Sequence, residues 1–308
     1  MKMLERDQFE RAANYLRHEA RPLERALFAH AFEGGGRTAV LAALVPYQND
    51  DGGFGRALEP DMRAAASSVL ATTIALDILR RVGATEETSG LPAALVYLID
   101  NYDAETGRWP IISPAVEDAP HAPWWAYAES AANFRDFWAN PRASVVGYLW
   151  QYRKLVPSPF VEGALRLAAT DLLTYSQMME MHDLMCYVDL LATPGLPGEM
   201  RENMIDKLRR VVVRSVVMDP AEWNDYNLKP LTVVRSPQSE LAAAVDATVL
   251  DANLDHLLAA QSPDGTWPPN WSWDFIDADA WAAAEREWRG VLTLRNLETL
   301  RAFGRIEE

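Results

Sequence analysis

Apolar positions recur at three- and four-residue steps through most of the chain, the period of an amphipathic helix. Residues 66–82, 143–155, 160–175, 200–217 and 240–261 carry it most clearly. Helix starts are predicted where a capping side chain precedes a proline: Asn140-Pro141, Ser158-Pro159, Asp219-Pro220 and Ser236-Pro237. Glycines predict ends: Gly34-Gly35-Gly36 after Phe32, Gly83 after Val82, Gly304 after Phe303. The single strand-like run, 231–234, is too short to found a sheet. No shift in composition marks a boundary. The pattern predicts an all-α chain forming one domain over 1–308.

A second pattern lies over the helices. Gln48 is followed by Asn49-Asp50-Asp51-Gly52-Gly53-Phe54-Gly55, and Gln261 by Ser262-Pro263-Asp264-Gly265-Thr266-Trp267. Asn101, Asp103, Gly107 and Trp109 make a weaker copy, and Leu149-Trp150-Gln151 a degenerate one. Each copy ends a helix with an amide, turns on Asp and Gly, and plants a ring. The helices that follow also align, Thr72 with Thr293, Leu76 with Leu297 and Gly83 with Gly304. A period near fifty residues makes each unit a helical hairpin, which cannot bury both faces alone. About six hairpins fill the chain. The clearest copies lie near its two ends, where a closed ring makes neighbours of them. The expected architecture is therefore an (α/α)6 toroid around a central cavity, with an open solenoid as its rival.

Composition narrows the function. The 308 residues hold 29 Lys+Arg against 44 Asp+Glu, a net charge of −15, which removes the basic face that nucleic acid requires. One cysteine and five histidines allow no disulfide and no clustered zinc-finger spacing. The first residues are charged and amphipathic, and no apolar run reaches the ~18 residues of a membrane span. A cytoplasmic protein without signal peptide is expected. The 11 Trp concentrate in loops, where they plug helix ends or line a pocket.

The Gln-x-x-Asp-Gly-Gly-Phe-Gly turn, followed by an Ala/Ser/Thr-rich helix, resembles the repeats of the terpenoid cyclase and protein prenyltransferase superfamily. Gln261 to Trp267 is similar to the glutamine–tryptophan motif of squalene-hopene cyclases. This resemblance implies a toroid and an isoprenoid or other apolar small molecule as ligand. In cyclases of the proton-initiated class, an Asp-x-Asp-Asp motif supplies the acid. Asp277-Ala278-Asp279 matches it in part, with Ala280 at the last place. The resemblance thus implies Asp279 as general acid and Asp277 as its partner, with Trp271 and Trp273 shielding the site. The same residues open the last helix, where acidic side chains cap amides.

Other residues are candidates by their setting. Glu59-Pro60-Asp61 lies between the first glycine turn and the next helix. His121 stands beside Trp124 and Trp125 in a proline-stiffened stretch. His182, Asp183 and Cys186 lie within five residues on one helical stretch and are weak metal candidates, although the prenyltransferase zinc spacing is not reproduced. No zinc or magnesium cofactor is expected. His18, His30 and His256 sit in helical patterns and read as structural. Three functions fit: an isoprenoid-handling toroid, with lyase or isomerase chemistry from an Asp acid; a sugar-active (α/α)6 hydrolase or lyase; and a non-catalytic binding toroid. The wall of the site discriminates the first two. Paired carboxylates in polar surroundings favour sugars, and an apolar aromatic wall favours isoprenoids.

Overall fold

A computed structural model describes residues 2–134, 137–176 and 178–307. The fold is all-α. Its helices are α1 (Arg6–His18), α2 (Pro22–Phe32), α3 (Arg37–Leu44), α4 (Val69–Arg81), α5 (Leu91–Asp100), α6 (Ser130–Asn133), α7 (Arg142–Gln151), α8 (Ser158–Thr174), α9 (Met181–Leu191), α10 (Gly198–Ser215), α11 (Pro230–Val233), α12 (Ala247–Ala259) and α13 (Ala278–Ala302). Among the described residues, β-structure is limited to isolated bridges, and no helix is long and apolar enough to cross a membrane.

Three expectations differ, and at the first of them Asp219-Pro220 opens only a single tight turn, Pro220–Glu222. Residues 231–233 of the strand-like run fall in α11, because Pro230 presets the first helical turn and the Leu231 N–H donates to Asn253 Oδ1 at 3.1 Å. Ser236-Pro237 forms a turn and no helix. The helix begins only at α12, where the Asp246 side chain accepts the Thr248 N–H at 2.7 Å and caps it.

The chain divides into two compact units, Met1–Ala43 with Val212–Glu308, and Leu44–Val211. In the first, α1, α2 and α13 pack together. Phe28 stacks on Phe32 at 5.2 Å, with Phe9 against both. Residues near opposite ends of the chain pair in parallel here. Leu4 N–H donates to Arg305 O (2.7 Å), and Glu307 N–H donates to Leu4 O (3.0 Å). The Arg305 guanidinium, 1% exposed, donates to Lys2 O (2.8 Å), Asp255 (2.9 Å) and Asp251 (2.7 Å). In the second unit α7 is the central helix, buried along Arg142–Leu149 and packed on α4, α8 and α9.

Two of the turns read as copies in the sequence share one pattern of hydrogen bonds. In the second unit, Gln48 Nε2 donates to Gly52 O and to Gly90 O, both at 2.9 Å. In the first unit, Gln261 Nε2 donates to Gly265 O (2.9 Å) and to Gln8 O (3.2 Å). Gly52 (φ +85°) and Gly265 (φ +87°) occupy the same left-handed position, each pressed on a helix backbone. A Cβ would stand 2.4 Å from Ala93 O at the first and 2.5 Å from Ala12 N at the second. The following ring is also held alike. Phe54 N–H donates to Thr72 Oγ1 (3.0 Å), and Trp267 N–H to Thr293 Oγ1 (3.1 Å). The weaker copy keeps part of this. Asp103 accepts from Glu105 N–H, Gly107 (φ +69°) abuts Leu167, and the Trp109 indole donates to Leu98 O. At the degenerate copy, the Trp150 indole donates to Gly195 O instead.

Candidate functional site

In the second unit, the first clasp leads directly into Glu59 and Asp61. The chain leaves Gly55 through Arg56 (φ +55°) and Ala57 (φ +60°), two successive left-handed residues that are not glycine. Each such residue costs about 1–3 kcal/mol and persists only where its surroundings enforce it. The enforcement is visible. Arg56 N–H donates to Ala64 O, Arg56 Nε donates to Asn49 Oδ1 at 2.9 Å, and a Cβ on Gly55 would stand 2.1 Å from Ala66 O. This turn delivers two buried carboxylic residues, Glu59 (6% exposed) and Asp61 (2% exposed).

The proline-stiffened stretch around His121 is their neighbour, a proximity that the sequence did not announce. Ala122 N–H donates to Asp61 O (2.9 Å) and Arg63 N–H to Pro120 O (3.1 Å), with Met62 and His121 bridged between. His121 Nδ1 lies 3.0 Å from Ala119 O; a carbonyl only accepts, so Nδ1 carries the proton in that bond. Nε2 then faces Glu117 Oε2 at 3.7 Å. Trp124 and Trp125 follow, both half-buried, with Trp125 N–H closing the turn on Ala122 O. Glu59, Asp61, His121, Trp124 and Trp125 are thus brought into one locality.

An apolar core cluster packs beside this locality. Met62, Ile111, Ile112 and Val116 form a buried cluster, with Leu70, Trp125, Phe134 and Phe137 packed on it. The rings continue as a series, Trp125 to Phe134 at 5.9 Å, Phe134 to Phe137 at 5.6 Å and Phe137 to the His182 imidazole at 5.5 Å. A hollow of about 10 Å³ beside Glu59, Met62 and Val116 has room for roughly one water.

Four further sequence candidates belong to the first unit. Asp277 caps α13, accepting the Ala280 N–H at 2.9 Å, and Asp279 is exposed in the first turn. An acid that protonates an alkene has to be shielded from water, and Asp279 is not. Trp273 is buried and meets Trp281 edge-on at 5.8 Å, while Trp271 meets Trp288 at 5.2 Å.

The metal candidates have other work. Asp183 accepts the backbone N–H groups of Trp138 (2.7 Å), Ala139 (2.8 Å) and Asn140 (2.7 Å), which orders the entry to α7. Burial pushes its carboxyl up, against the pull of those three donors. Glu180 caps α9 and binds His182 Nδ1 at 2.7 Å. Burial pushes the Glu180 carboxyl up, but its bonds to His182 outweigh that and hold it below the ordinary range. Burial also raises the Cys186 thiol, so it stays neutral and packs as a small apolar group. Among the described residues, no group of three His, Cys, Asp or Glu is placed to hold a metal ion.

No protein-family model, curated protein or solved structure matches this chain.

Sequence reasoning missed two features. The strain at Arg56 and Ala57 has no signal in residue type, since neither is a glycine or an asparagine. A polar cluster across α4, α7 and α9 was also missed. Arg80 pairs with Asp77 (2.9 Å), lies 4.8 Å over the Tyr148 ring and donates to Asp189 O, while Ser144 Oγ donates to Asp189 Oδ2. Its members are spread over more than a hundred residues, so no local motif announces them.

Proposed function

We propose that the chain is a terpenoid cyclase-like α/α toroid that handles an isoprenoid, with Glu59 and Asp61 as its acid pair. One observation carries the reading: two buried carboxylic residues sit on a strained loop beside an aromatic and aliphatic core cluster. A polar wall would have favoured sugars. In the proposed chemistry, a protonated carboxyl of Glu59 or Asp61 gives its proton to an alkene carbon. A C–H bond forms at the expense of the π bond, and the cation left on the neighbouring carbon is lost by returning a proton to the same carboxylate. The faces of Trp125, Phe134 and Phe137 would stabilise that cation. Closure of the helices into a ring is part of this reading. Its support is that the same clasp reaches 42 residues forward from Gln48 and 253 residues back from Gln261. The pairing of Leu4 with Ile306 supports it independently.

The test is incubation with linear isoprenoid hydrocarbons, alcohols and diphosphates of several chain lengths, with products followed by mass spectrometry and binding by calorimetry. Binding and a rearranged product are expected. Glu59→Gln and Asp61→Asn should each lower turnover by about 10²–10⁴-fold while leaving the melting transition in place. Absence of binding and of product across all chain lengths would refute the isoprenoid reading.

A further inference from the structure

The acid pair is closed in. Glu59 and Asp61 are almost wholly buried, and the hollow that adjoins Glu59 has room for roughly one water. The stretch 113–130 lies against them. Its helical pieces are single turns, Pro114–Asp118, Pro123–Trp125 and Tyr127–Glu129. Pro114, Pro120 and Pro123 bring no N–H to any ladder. Val116 and Ala122 are buried, and its other residues are half-buried or exposed. A segment of short turns with few buried side chains belongs to the part of a protein that opens most readily.

We infer that 113–130 is a lid, which opens as one body and admits a ligand to Glu59 and Asp61. Its role as a gate rests on the reading of those two residues as the acid pair, while its motion does not. Three observations carry the inference. First, nothing larger than a water reaches Glu59 from the adjoining hollow in the closed form, so a route to a ligand has to be made. Second, the stretch is tied to itself. Glu117 Oε1 accepts the Tyr127 N–H (2.6 Å), Glu117 Oε2 faces His121 Nε2 (3.7 Å), and His121 Nδ1 donates to Ala119 O (3.0 Å). One exposed carboxylate thus joins the successive turns into a unit. Third, its attachment to the acid loop is a seam. The Met62–His121 bridge is flanked by Ala122 N–H to Asp61 O (2.9 Å) and Arg63 N–H to Pro120 O (3.1 Å). The hollow lies on that seam, with Leu58, Glu59 and Met62 on one side and Ser113 and Val116 on the other. Faces that leave a void between them give up little dispersion contact there on parting. Closure returns Trp125 to the Met62 cluster and keeps water from the acids.

Hydrogen exchange on the full chain, resolved by amide, tests the motion. The Ala122, Tyr127 and Arg63 amides should share one protection factor, about 100-fold or more below that of Val145 and Val146 in the buried α7. Protection equal to that of α7 would mean that the stretch opens only with global unfolding. Unequal values among the three would mean that it does not move as one body. Either result overturns the inference. A lock tests the gate. Residues that face each other between two such flanking bonds are a non-hydrogen-bonded antiparallel pair, with Cα atoms about 4.5 Å apart and within reach of a disulfide. Met62→Cys combined with His121→Cys should therefore crosslink the seam. Oxidation should slow exchange at Ala122 and Arg63 by about tenfold or more and abolish calorimetric binding of farnesol, and reduction should restore both. Exchange unchanged by oxidation overturns the lid, and farnesol binding unchanged by oxidation overturns its role as gate. A wild type that binds no farnesol counts against the isoprenoid reading, and the exchange pattern still decides the lid. If the double variant does not fold, or binds no farnesol when reduced, the wild-type exchange pattern decides by itself.

Discussion

At the scale of single residues, His256 shows how position sets chemistry. It sits in the last turn of α12, edge-on to the buried Trp223 ring at 5.6 Å. Burial and the nearby Lys229 charge push its pKa below the ordinary 6.5. A base with a depressed folded pKa binds fewer protons folded than unfolded. Its contribution to stability is therefore complete above about pH 6.5 and is lost as the pH falls through the lower folded value. Denaturant midpoints measured from about pH 7 down to 5 should fall, and His256→Gln should flatten that limb. An unchanged slope in the variant would place the acid sensitivity elsewhere. Reading this histidine as structural needed only its helical setting. Glu59, Asp61 and His121 stand out in sequence as candidates, because prolines and a glycine turn single out their loops. The partners of Asp183 were not legible. Three successive backbone amides converge on it from a segment more than forty residues away, and sequence does not display amides.

At the scale of elements, the clasp is the part of the fold that the chain spells out most fully. Its glutamine, its left-handed glycine and its ring are all residue types with one geometrical use, so the motif survives as text. The threonine that receives the ring's amide is less obvious, yet Thr72 and Thr293 are both fully buried and do the same thing. Replacing either by valine keeps shape and leaves the Phe54 or Trp267 N–H buried without a partner. Each substitution should cost about 1–3 kcal/mol in urea unfolding, and the two costs should agree if the clasps are equivalent. A cost at one site only would mean that the second copy has become decoration. Helix ends were less legible than the clasps. The predicted start at 240 was displaced to α12 because Asp246 is the better cap, and pattern alone does not rank competing caps.

At the scale of the whole molecule, the question is whether the chain needs its ends where they are. Residues 2–4 and 305–307 run side by side, locked by a buried arginine that binds both segments. The clasp after α12 grips α1, as the clasp before α4 grips α5. To the Gln261 turn, α1 serves as the next helix along. Continuity between α13 and α1 should then be as acceptable as the present break. A permutant that begins at Arg37, joins the old ends through about eight Gly/Ser residues and stops at Gly36 tests this. Gly34 and Gly36 meet no side chain or backbone within 4 Å of where a Cβ would be, so the new break disturbs little packing. Closing a flexible loop of this length costs little more than closing a shorter one. The permutant should melt within about 5 °C of the parent, measured by circular dichroism. A matching permutant opened between Gly52 and Gly53 cuts a clasp and should not reach the folded state. If the first permutant failed and the second folded, the repeats would be remnants in sequence, and the proposed closure into a ring would lose its support.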